Sequence, residues 1–522
     1  MSRSNILKWR KCSSMRRGMR RALFHKALTL ILCIAVPCFG RCTAPENPRY
    51  FQTYMQSDPG NLDPFYSTDV ISGRVLTKIC SGLFTIDSGG ILVPDLVQDY
   101  SFDGRVLRGT LKEGVRFHDG SEVTADDVVF SLTRIWKSEN PTSPRKWVFS
   151  NVREMKSHGR YRFSIELEKP HAAFCSMLTM PCCYIISKSA FTRDGAITGS
   201  GPFSLQEWRQ DEKIVLRRNE RYYGTVASLE GMVFRIIPED LTARFEFLNG
   251  TLDYFDIPYI ANVGFDKTRF RVIEVPELSV HYVALNTGRY PFTDISFRRA
   301  LNMAVDKKTI MQCLFKNRFR EAEGVVPPGA GGYRGAVRTY GYEPGKARDI
   351  IARMGLRGTM IRLLIKSDNQ VSLITQLIQY YLVQAGLRVE IVPLEWSALK
   401  SRTFRGDFDM AYFTWIADYP EPENFFYPLF YSRNAGPGGN RSFYRSAEVD
   451  GLMETARRVI NPEKRFDIYR RIEGIILNEA PWIFLWYADK RIALGSRVQD
   501  YTPYPIFSGF KGNTITLRKE QP

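Results

Sequence analysis

Three carboxylates stand among aromatic residues in the segment 414–426, TWIADYPEPENFF. The segment also carries two prolines, which exclude one regular helix through it. A carboxylate among rings can form a strong charge-assisted bond with a cation, and in a dry site it is costly until it is paired. The residues alone leave two interpretations open. Asp418 binds the cation of a ligand, or it caps a helix or pairs with a structural arginine while the rings form core.

The sequence lacks the usual motifs of catalytic and metal centres. It has no G-x-S-x-G, no H-E-x-x-H and no Walker loop. The glycine-rich run 329–335, GAGGYRG, does not have dinucleotide-binding spacing and is typical of a loop. The histidines beyond the first 41 residues are scattered: His118, His158, His171 and His281. We therefore predict that the protein is not an enzyme and has no cofactor and no metal site.

The net charge of +18 over 522 residues is unevenly distributed. Residues 1–41 contain ten Lys or Arg and no acid, so the remainder has 63 basic and 55 acidic residues, a net charge of +8. These charges form no long runs. A mildly basic body of this kind argues against nucleic acid as a partner.

The first 41 residues have the pattern of an export signal. A basic stretch reaching Lys26 precedes an apolar run from Ala27 to Gly40, which is too short to span a bilayer comfortably. Cleavage near Gly40, or lipidation of Cys42 as in a bacterial lipoprotein, would follow. We predict an exported protein of the periplasm or cell envelope, with a possible lipid anchor at Cys42.

The cysteines outside the leader match no zinc-binding spacing. They are Cys80, Cys175, Cys182, Cys183 and Cys313. In an oxidising compartment Cys175 could pair with Cys182 or Cys183. Buried free thiols are the alternative, and the sequence does not decide between them.

The first half of the chain is predicted to be rich in strands. Residues Tyr50–Met55 alternate like a strand, and residues 159–170, GRYRFSIELEKP, alternate like a half-buried one. Residues 111–138 predict a strand, an Asp-Gly turn and a helix that begins with a capping box of Thr124 and Asp127. Residues 199–224 predict two antiparallel strands.

The second half alternates between helices and strands. Residues 296–315 predict one amphipathic helix. Residues 360–367, 373–386 and 388–394 predict a strand, a helix ending at Gly386 and a second strand. Strand, helix and strand at this spacing form a βαβ unit with parallel strands, which places the chain in the α/β class.

Several motifs together resemble the family 5 extracellular solute-binding proteins, the peptide and nickel receptors of ABC importers. They are LKEGVRFHDGSEVTADDVVFSLTRI (111–135), NLDP (61–64), GLF (82–84), GSGPF (199–203), ALNTGRYPFTDISFRRALNMAVDK (284–307) and the segment 414–426. The resemblance extends from about residue 48 to the end. It implies an α/β, bilobed periplasmic-binding-protein-like fold of type II, with three domains and hinge closure over a central cleft.

The resemblance also implies domain boundaries. The signal peptide occupies 1–41. Domain I is discontinuous and comprises 42–78, 199–284 and 491–522. Domain II occupies 79–198, and domain III occupies 285–490.

The resemblance assigns candidate ligand-binding residues. Trp415, Ile416, Ala417 and Asp418 match the W-x-A-D pattern, in which the Asp receives the α-ammonium of a peptide. Trp396 matches a tryptophan of the cleft. Further candidates are Thr68 to Val70, as a strand that pairs with the ligand backbone, Arg402 and Arg405 for a ligand carboxylate, and Arg145 and Trp147 facing the cleft from domain II.

The expected function is that of a monomeric substrate-binding protein that captures short peptides and delivers them to an ABC permease. Three alternatives remain. The first is a receptor for a non-peptide ligand such as chelated nickel, haem or an amino-acid conjugate. The second is a surface adhesin or chaperone-like protein on the same fold. The third is a peptide hydrolase.

Overall fold

The computed structural model describes residues 49–138, 145–260, 265–266, 268–316, 318–333, 335, 340–437 and 439–518. The predicted leader and Cys42 lie outside these residues, so the signal and the lipid anchor stay predictions. Within the described ranges, no helix has both the length and the apolar character needed to cross a bilayer.

Strands and helices alternate along most of the described chain. The strands are β1 (Tyr50–Met55), β2 (Phe84–Ile86), β3 (Leu92–Pro94), β4 (Val97–Phe102), β5 (Val106–Leu111), β6 (Val152–His158), β7 (Arg162–Leu167), β8 (Phe203–Arg209), β9 (Lys213–Arg218), β10 (Gly231–Ile236), β11 (Tyr254–Ile257), β12 (Arg271–Pro276), β13 (Ser279–Leu285), β14 (Arg320–Glu321), β15 (Met360–Lys366), β16 (Arg388–Leu394), β17 (Met410–Ile416), β18 (Trp482–Tyr487), β19 (Asp489–Leu494), β20 (Val498–Asp500) and β21 (Thr516–Leu517). The helices are α1 (Val70–Ile79), α2 (Ala125–Trp136), α3 (Phe174–Met177), α4 (Lys188–Asp194), α5 (Asp240–Leu248), α6 (Ile295–Ala304), α7 (Lys307–Phe315), α8 (Pro344–Arg353), α9 (Asn369–Gln384), α10 (Trp396–Phe404), α11 (Glu423–Phe430), α12 (Ala447–Arg458) and α13 (Pro462–Glu479).

Three hydrophobic cores organise these elements. Core A lies under the sheets β1-β10-β9-β8 and β11-β19-β12, and it combines residues from 51–80, 184–275 and 492–515. Core B lies under the sheet β4-β5-β7-β6 and comprises buried residues of 83–185, together with Tyr419. Core C surrounds the six-stranded sheet β14-β18-β13-β17-β15-β16 and draws on residues 278–488 and Ile506. Units A, B and C denote the parts of the chain around these cores.

Two short connections join unit A to unit C. The chain leaves core A after Val275 and enters core C at Leu278, then returns between Ala488 and Ile492. The two connections lie side by side, because β12 and β19 pair antiparallel with Pro276 opposite Asp489. Adjacent crossings of this kind are suited to act as a hinge between two bodies.

The predicted βαβ unit is confirmed. Strands β15 and β16 run parallel and are connected by α9, and β17 is parallel to β15 on its other side. Helix α9 begins at Asn369, where the Asp368 carboxylate accepts hydrogen bonds from the N–H groups of Gln370 and Val371. It is followed by Gly386, whose φ of 101° suits glycine. The carboxyl ends of the three parallel strands therefore meet at one edge of the sheet.

The single helix predicted for 296–315 is wrong, because the structure has two. Helix α6 ends at Ala304, and Val305 is extended. Asp306 then caps α7, its carboxylate accepting the Thr309 N–H at 3.0 Å. Aspartate competes for local backbone donors in this way, so it favours a new helix start over continuation. The capping box predicted for Thr124 and Asp127 is confirmed at the start of α2.

Candidate functional site

The carboxyl edge of β15, β16 and β17 collects the main candidates. Trp396 is the first residue of α10 and follows β16 closely, while Trp415 and Ile416 end β17. Asp418 follows two residues later. Ala417, between them, is buried, and its N–H donates to Leu278 O at 2.8 Å. In open α/β sheets, ligands bind in the crevice outside this edge.

The turn that leaves β17 is held by one asparagine. Asn424 Oδ1 accepts the Asp418 backbone N–H at 3.0 Å and the Trp415 indole N–H at 3.3 Å. Pro420 and Pro422 fall in the turn, and α11 begins only at Glu423. The prolines thus delay the helix, and Asn424 fixes Asp418 relative to the tryptophan.

Asp418 does not stand alone as a carboxylate. Arg145 Nη1 lies 3.3 Å from its Oδ2, and each side chain is less than a fifth exposed. Burial lowers the pKa of Arg145, but Asp418 together with Cys182 and Cys183 raises it overall. Asp418 therefore has an arginine partner, and that arginine is itself one of the candidate ligand-binding residues. This ion pair joins unit B to unit C.

The three remaining arginine and tryptophan candidates have different placements. Trp147 is half-buried against core B. Arg402 pairs with Asp407 at 3.1 Å, and Arg405 donates to the Ser401 hydroxyl at 2.6 Å. Both arginines lie at the end of α10 remote from Trp396. The structure thus does not bring Arg402 and Arg405 to Asp418, because α10 carries them away from the edge.

The strand expected at 68–70 is wrong. Thr68 is exposed in an irregular segment, and Val70 is the first residue of α1. Asp69 caps this helix by accepting the Ser72 N–H at 2.8 Å, so the local sequence favours a helix start. A backbone-pairing role for Thr68 and Val70 therefore lacks its strand. The preceding residue does reach the site, since the Ser67 carbonyl lies 3.5 Å from Arg145 Nε.

Sequence reasoning missed Arg441. Its guanidinium lies 4.2 Å from the centre of the Phe413 ring and 5.9 Å from that of Trp396. Its Nε is buried without a hydrogen-bond partner, and no described carboxylate forms an ion pair with it. Lys400 lies 5.5 Å from the same Trp396 ring. A signal existed in the sequence: residues 424–447 contain three arginines and no acid.

A second polar contact between units B and C lies at a group that we call the clasp: Gly104, His171 and Ala172 of unit B with Glu423, Arg457 and Ile460 of unit C. His171 Nε2 lies 2.9 Å from both oxygens of Glu423, and Arg457 Nε lies 3.0 Å from Oε1. The Ala172 N–H donates to Arg457 O at 2.7 Å. His171 and Glu423 are almost fully buried, so neither can be exposed without separating the two units.

Tyr419 inserts between these two contacts. It follows Asp418 in unit C, yet its fully buried side chain belongs to core B. Asp418, Tyr419 and Glu423 thus give three successive contacts with unit B: an ion pair, an apolar insertion and a buried polar cluster. The turn between β17 and α11 is therefore a principal bridge between the units.

Glu423 predicts an acid-sensitive contribution to stability. Burial would raise its pKa, but His171 and Arg457 outweigh burial and lower it to about 2. Because an unfolded glutamate titrates near 4.5, this contribution is present above that pH and is lost as pH falls towards 2. Between pH 7 and pH 3 we expect the free energy of unfolding of the wild type to fall by about 2 kcal/mol more than that of Glu423→Gln, because pH 3 reaches only part of this window. Urea denaturation at pH 7, 4.5 and 3 measures how the free energy of unfolding of each protein depends on pH. An equal dependence in wild type and Glu423→Gln would contradict the lowered pKa of Glu423.

Of the two alternatives that the sequence left open for the cysteines, the structure has the free thiols. Cys175, Cys182 and Cys183 are buried free thiols, with 3.7 Å between the Sγ atoms of Cys182 and Cys183. In the described part of the chain, no cluster of three or more His, Cys, Asp or Glu could hold a metal ion.

Comparison with known proteins gives consistent matches. The model of the bacterial extracellular solute-binding proteins, family 5, matches residues 92–437. The heme-binding protein A of Haemophilus influenzae is 28% identical, covering 80% of this chain and 82% of the relative. The dipeptide-binding protein of Escherichia coli is 26% identical, covering 80% and 84%. The structure of the periplasmic binding protein DppA from Helicobacter pylori in complex with the peptide STSA has a TM-score of 0.81 and 26% identity, covering 90% and 99%.

Proposed function

The chain belongs to the bacterial extracellular solute-binding proteins of family 5, and from this premise we propose that it captures short peptides for an ABC importer. It has the bilobed, type II α/β fold of periplasmic peptide-binding proteins. In the proposed cycle the lobes close over a peptide, and the closed protein delivers it to a membrane permease. The protein acts outside the cytoplasm as a monomer, with or without a lipid at Cys42, and releases the peptide chemically unchanged.

The three cores support the proposed domain boundaries. Domain I corresponds to unit A, domain II to unit B and domain III to unit C, with limits near 79, 199, 285 and 491. Units A and B would form one lobe and unit C the other. The adjacent connections at Pro276 and Asp489 would then be the hinge.

The observation that carries the proposal is the position of Asp418. It lies at the carboxyl edge of the sheet, between two units, beside the indole of Trp415. Arg145 contacts Oδ2, and no donor among the described residues contacts Oδ1. We assign Oδ1 to the α-ammonium of the peptide. Arg145 would keep the carboxylate neutralised when no peptide is bound, so closure does not bury a bare charge.

The far end of the peptide would meet Arg441. This guanidinium has no carboxylate partner among the described residues and lies against Phe413 and Trp396. A ligand carboxylate would supply the missing charge, and charge-assisted bonds from arginine are among the stronger polar contacts. Arg441 thus takes the role first expected of Arg402 and Arg405.

Titration calorimetry with matched peptides tests this function. The exported chain is unfolded and refolded to remove carried ligand, then titrated with a tripeptide and with its N-acetylated form. We expect binding of the free tripeptide and a loss of about 2–5 kcal/mol on acetylation, because the buried carboxylate loses its partner. Equal binding of both peptides would overturn the Asp418 assignment. Mass analysis of the recovered peptide reports any hydrolysis.

A haem receptor is the second candidate. The cations Arg441 and Lys400 around the exposed Trp396 ring would suit a flat ligand with carboxylates. The relative named heme-binding protein A also favours it. Titration of the refolded chain with haemin, followed by its absorption spectrum, separates the two candidates. Binding of haemin without binding of any tripeptide would replace the peptide proposal.

A further inference from the structure

Two adjacent thiols lie in the turn Pro181–Cys183, a single 3-10 turn on the surface of core B. The Sγ atoms of Cys182 and Cys183 are 3.7 Å apart, and Cys183 Sγ donates to Met177 O at 3.7 Å. A disulfide needs about 2.05 Å between the sulfurs. Rotation of the two side chains brings the sulfurs together, but neighbouring residues have a tight Cα spacing, so the turn itself must also change shape.

The turn lies beside the ion pair that joins units B and C. Hydrogen bonding with Cys183 lowers the pKa of Cys182 against the effect of burial, and the nearby Arg145 cation lowers it further. Burial raises the pKa of Cys183. Cys182 is therefore the better nucleophile of the pair, since the thiolate is the form that attacks. The charge of Asp418, which belongs to unit C, raises the pKa of Cys182 and so opposes the effect of Arg145.

Both thiols are covered in this structure. Cys182 is 3% exposed and Cys183 is 1% exposed. Two residues of the other lobe reach into unit B from the turn after β17, since Asp418 pairs with Arg145 and the Tyr419 ring packs in core B. Separation of the lobes would withdraw both of these residues from unit B.

The other described cysteines differ from this pair. Cys80 lies in core A and Cys175 in core B, each buried and with a pKa raised by burial. Cys313 is exposed and lies far along the chain in α7. Among the described residues, only Cys182 and Cys183 have a thiol as a neighbour within hydrogen-bonding distance. They combine proximity with a nearby cation, and they belong to the core that Tyr419 of the other lobe enters.

We propose that Cys182 and Cys183 form a dithiol–disulfide redox site that lobe closure shields. The oxidant is a small disulfide of the export compartment. The Cys182 thiolate attacks it, forming a mixed disulfide and releasing one thiolate. Cys183, losing its proton to water, attacks the Cys182 sulfur, forming the protein disulfide and releasing a second thiolate. Two protein thiols and one disulfide thus give one protein disulfide and two small thiols.

The site would couple the redox state of the compartment to closure. Forming the bond would remove the charge interaction of these two cysteines with Arg145 and would reshape the turn that carries them. Arg145 then meets Asp418 less well, and the lobes close less readily. This inference requires that the lobes open and close, and it does not depend on which ligand the cleft takes.

Oxidation by glutathione disulfide tests the site. The exported chain carrying Cys313→Ser is incubated with this oxidant, digested without reductant and weighed as peptides. We expect the peptide containing residues 182 and 183 to lose two hydrogens. In Cys183→Ser the remaining Cys182 thiol should instead keep a glutathione adduct, whereas in Cys182→Ser the remaining Cys183 thiol should react little. If the native chain does not react while the urea-unfolded chain does, the thiols are only buried core and the proposal is overturned.

A variant of the clasp tests the shielding. Glu423→Ala removes a contact between the lobes away from the thiols, and it should raise the oxidation rate of the pair at least tenfold. Glu448→Ala, which breaks an exposed ion pair with Arg471 in the same lobe, should leave the rate unchanged. Cys175 reports unfolding of core B and should stay unmodified in both variants. Equal rates in the two variants, or parallel modification of Cys175, would overturn control by closure.

Discussion

Asp418→Ala should weaken binding of a free tripeptide by about 2–5 kcal/mol, or roughly 30- to 5,000-fold in Kd. The change leaves Arg145 and the peptide ammonium facing each other in a closed cleft without the carboxylate between them. Two like charges then share a site with little water. The loss should fall almost wholly on the free peptide, so the N-acetylated form should bind wild type and variant alike. Titration calorimetry with both peptides measures the difference.

Glu395→Gln is the matched control for this change. Glu395 is an exposed carboxylate at the same edge of the sheet, directly before Trp396, and its side chain does not cap α10. Removing its charge should alter the tripeptide affinity less than threefold, because solvent screens an exposed carboxylate. If Glu395→Gln lost as much affinity as Asp418→Ala, the combined negative charge of this sheet edge, and not Asp418 in particular, would bind the ligand.

Tyr419→Ala should have the second large effect. It should destabilise the closed arrangement of the lobes more than it destabilises either lobe by itself. The ring belongs to the chain of unit C but is fully buried in core B, so its burial depends on the two units meeting. Truncating a buried aromatic ring costs about 3–5 kcal/mol. Because the closed state loses this free energy, the ligand affinity falls on the order of 100-fold or more. Small-angle scattering should show a larger radius of gyration than that of wild type.

Tyr419→Phe separates the ring from its hydroxyl. The buried hydroxyl has no hydrogen-bond partner in the described structure, so phenylalanine should keep the closed form and nearly the wild-type affinity. If Tyr419→Ala binds as well as Tyr419→Phe, the ring does not contribute to closure. If both variants unfold early in urea, Tyr419 stabilises the fold of unit B instead.

Local patterns in the sequence predicted the elements of secondary structure well. Alternation located β1 and β7, and strand–helix–strand spacing located the parallel pair β15 and β16. The capping box at Thr124 was equally visible, because its two partners lie three residues apart. The same local reasoning failed where one side chain reversed the outcome, as Asp306 did by ending α6 and starting α7.

The site was harder to predict, since its contacts join distant parts of the chain. Arg145 and Asp418 are separated by 273 residues, and His171 and Glu423 by 252. No periodicity links such pairs. The motif identified Asp418 but not its partner Arg145. Arg441 was recognised only in the structure, where its guanidinium lies over the ring of Phe413. The false strand at Thr68 came from the family resemblance, which the capping residue Asp69 overrides in this chain.

The composition of core A has a consequence for the timing of folding. Strand β1 pairs with β10, and the core is completed by residues as late as Ile515. At roughly 5–20 residues per second, a ribosome takes on the order of half a minute or more to supply that last segment after β1 has emerged. Core B, built almost entirely from 83–185, can form much sooner. Core A of the nascent chain therefore stays incomplete until late in synthesis, which would give the translocation machine of the proposed export route time to engage the chain before the native state forms.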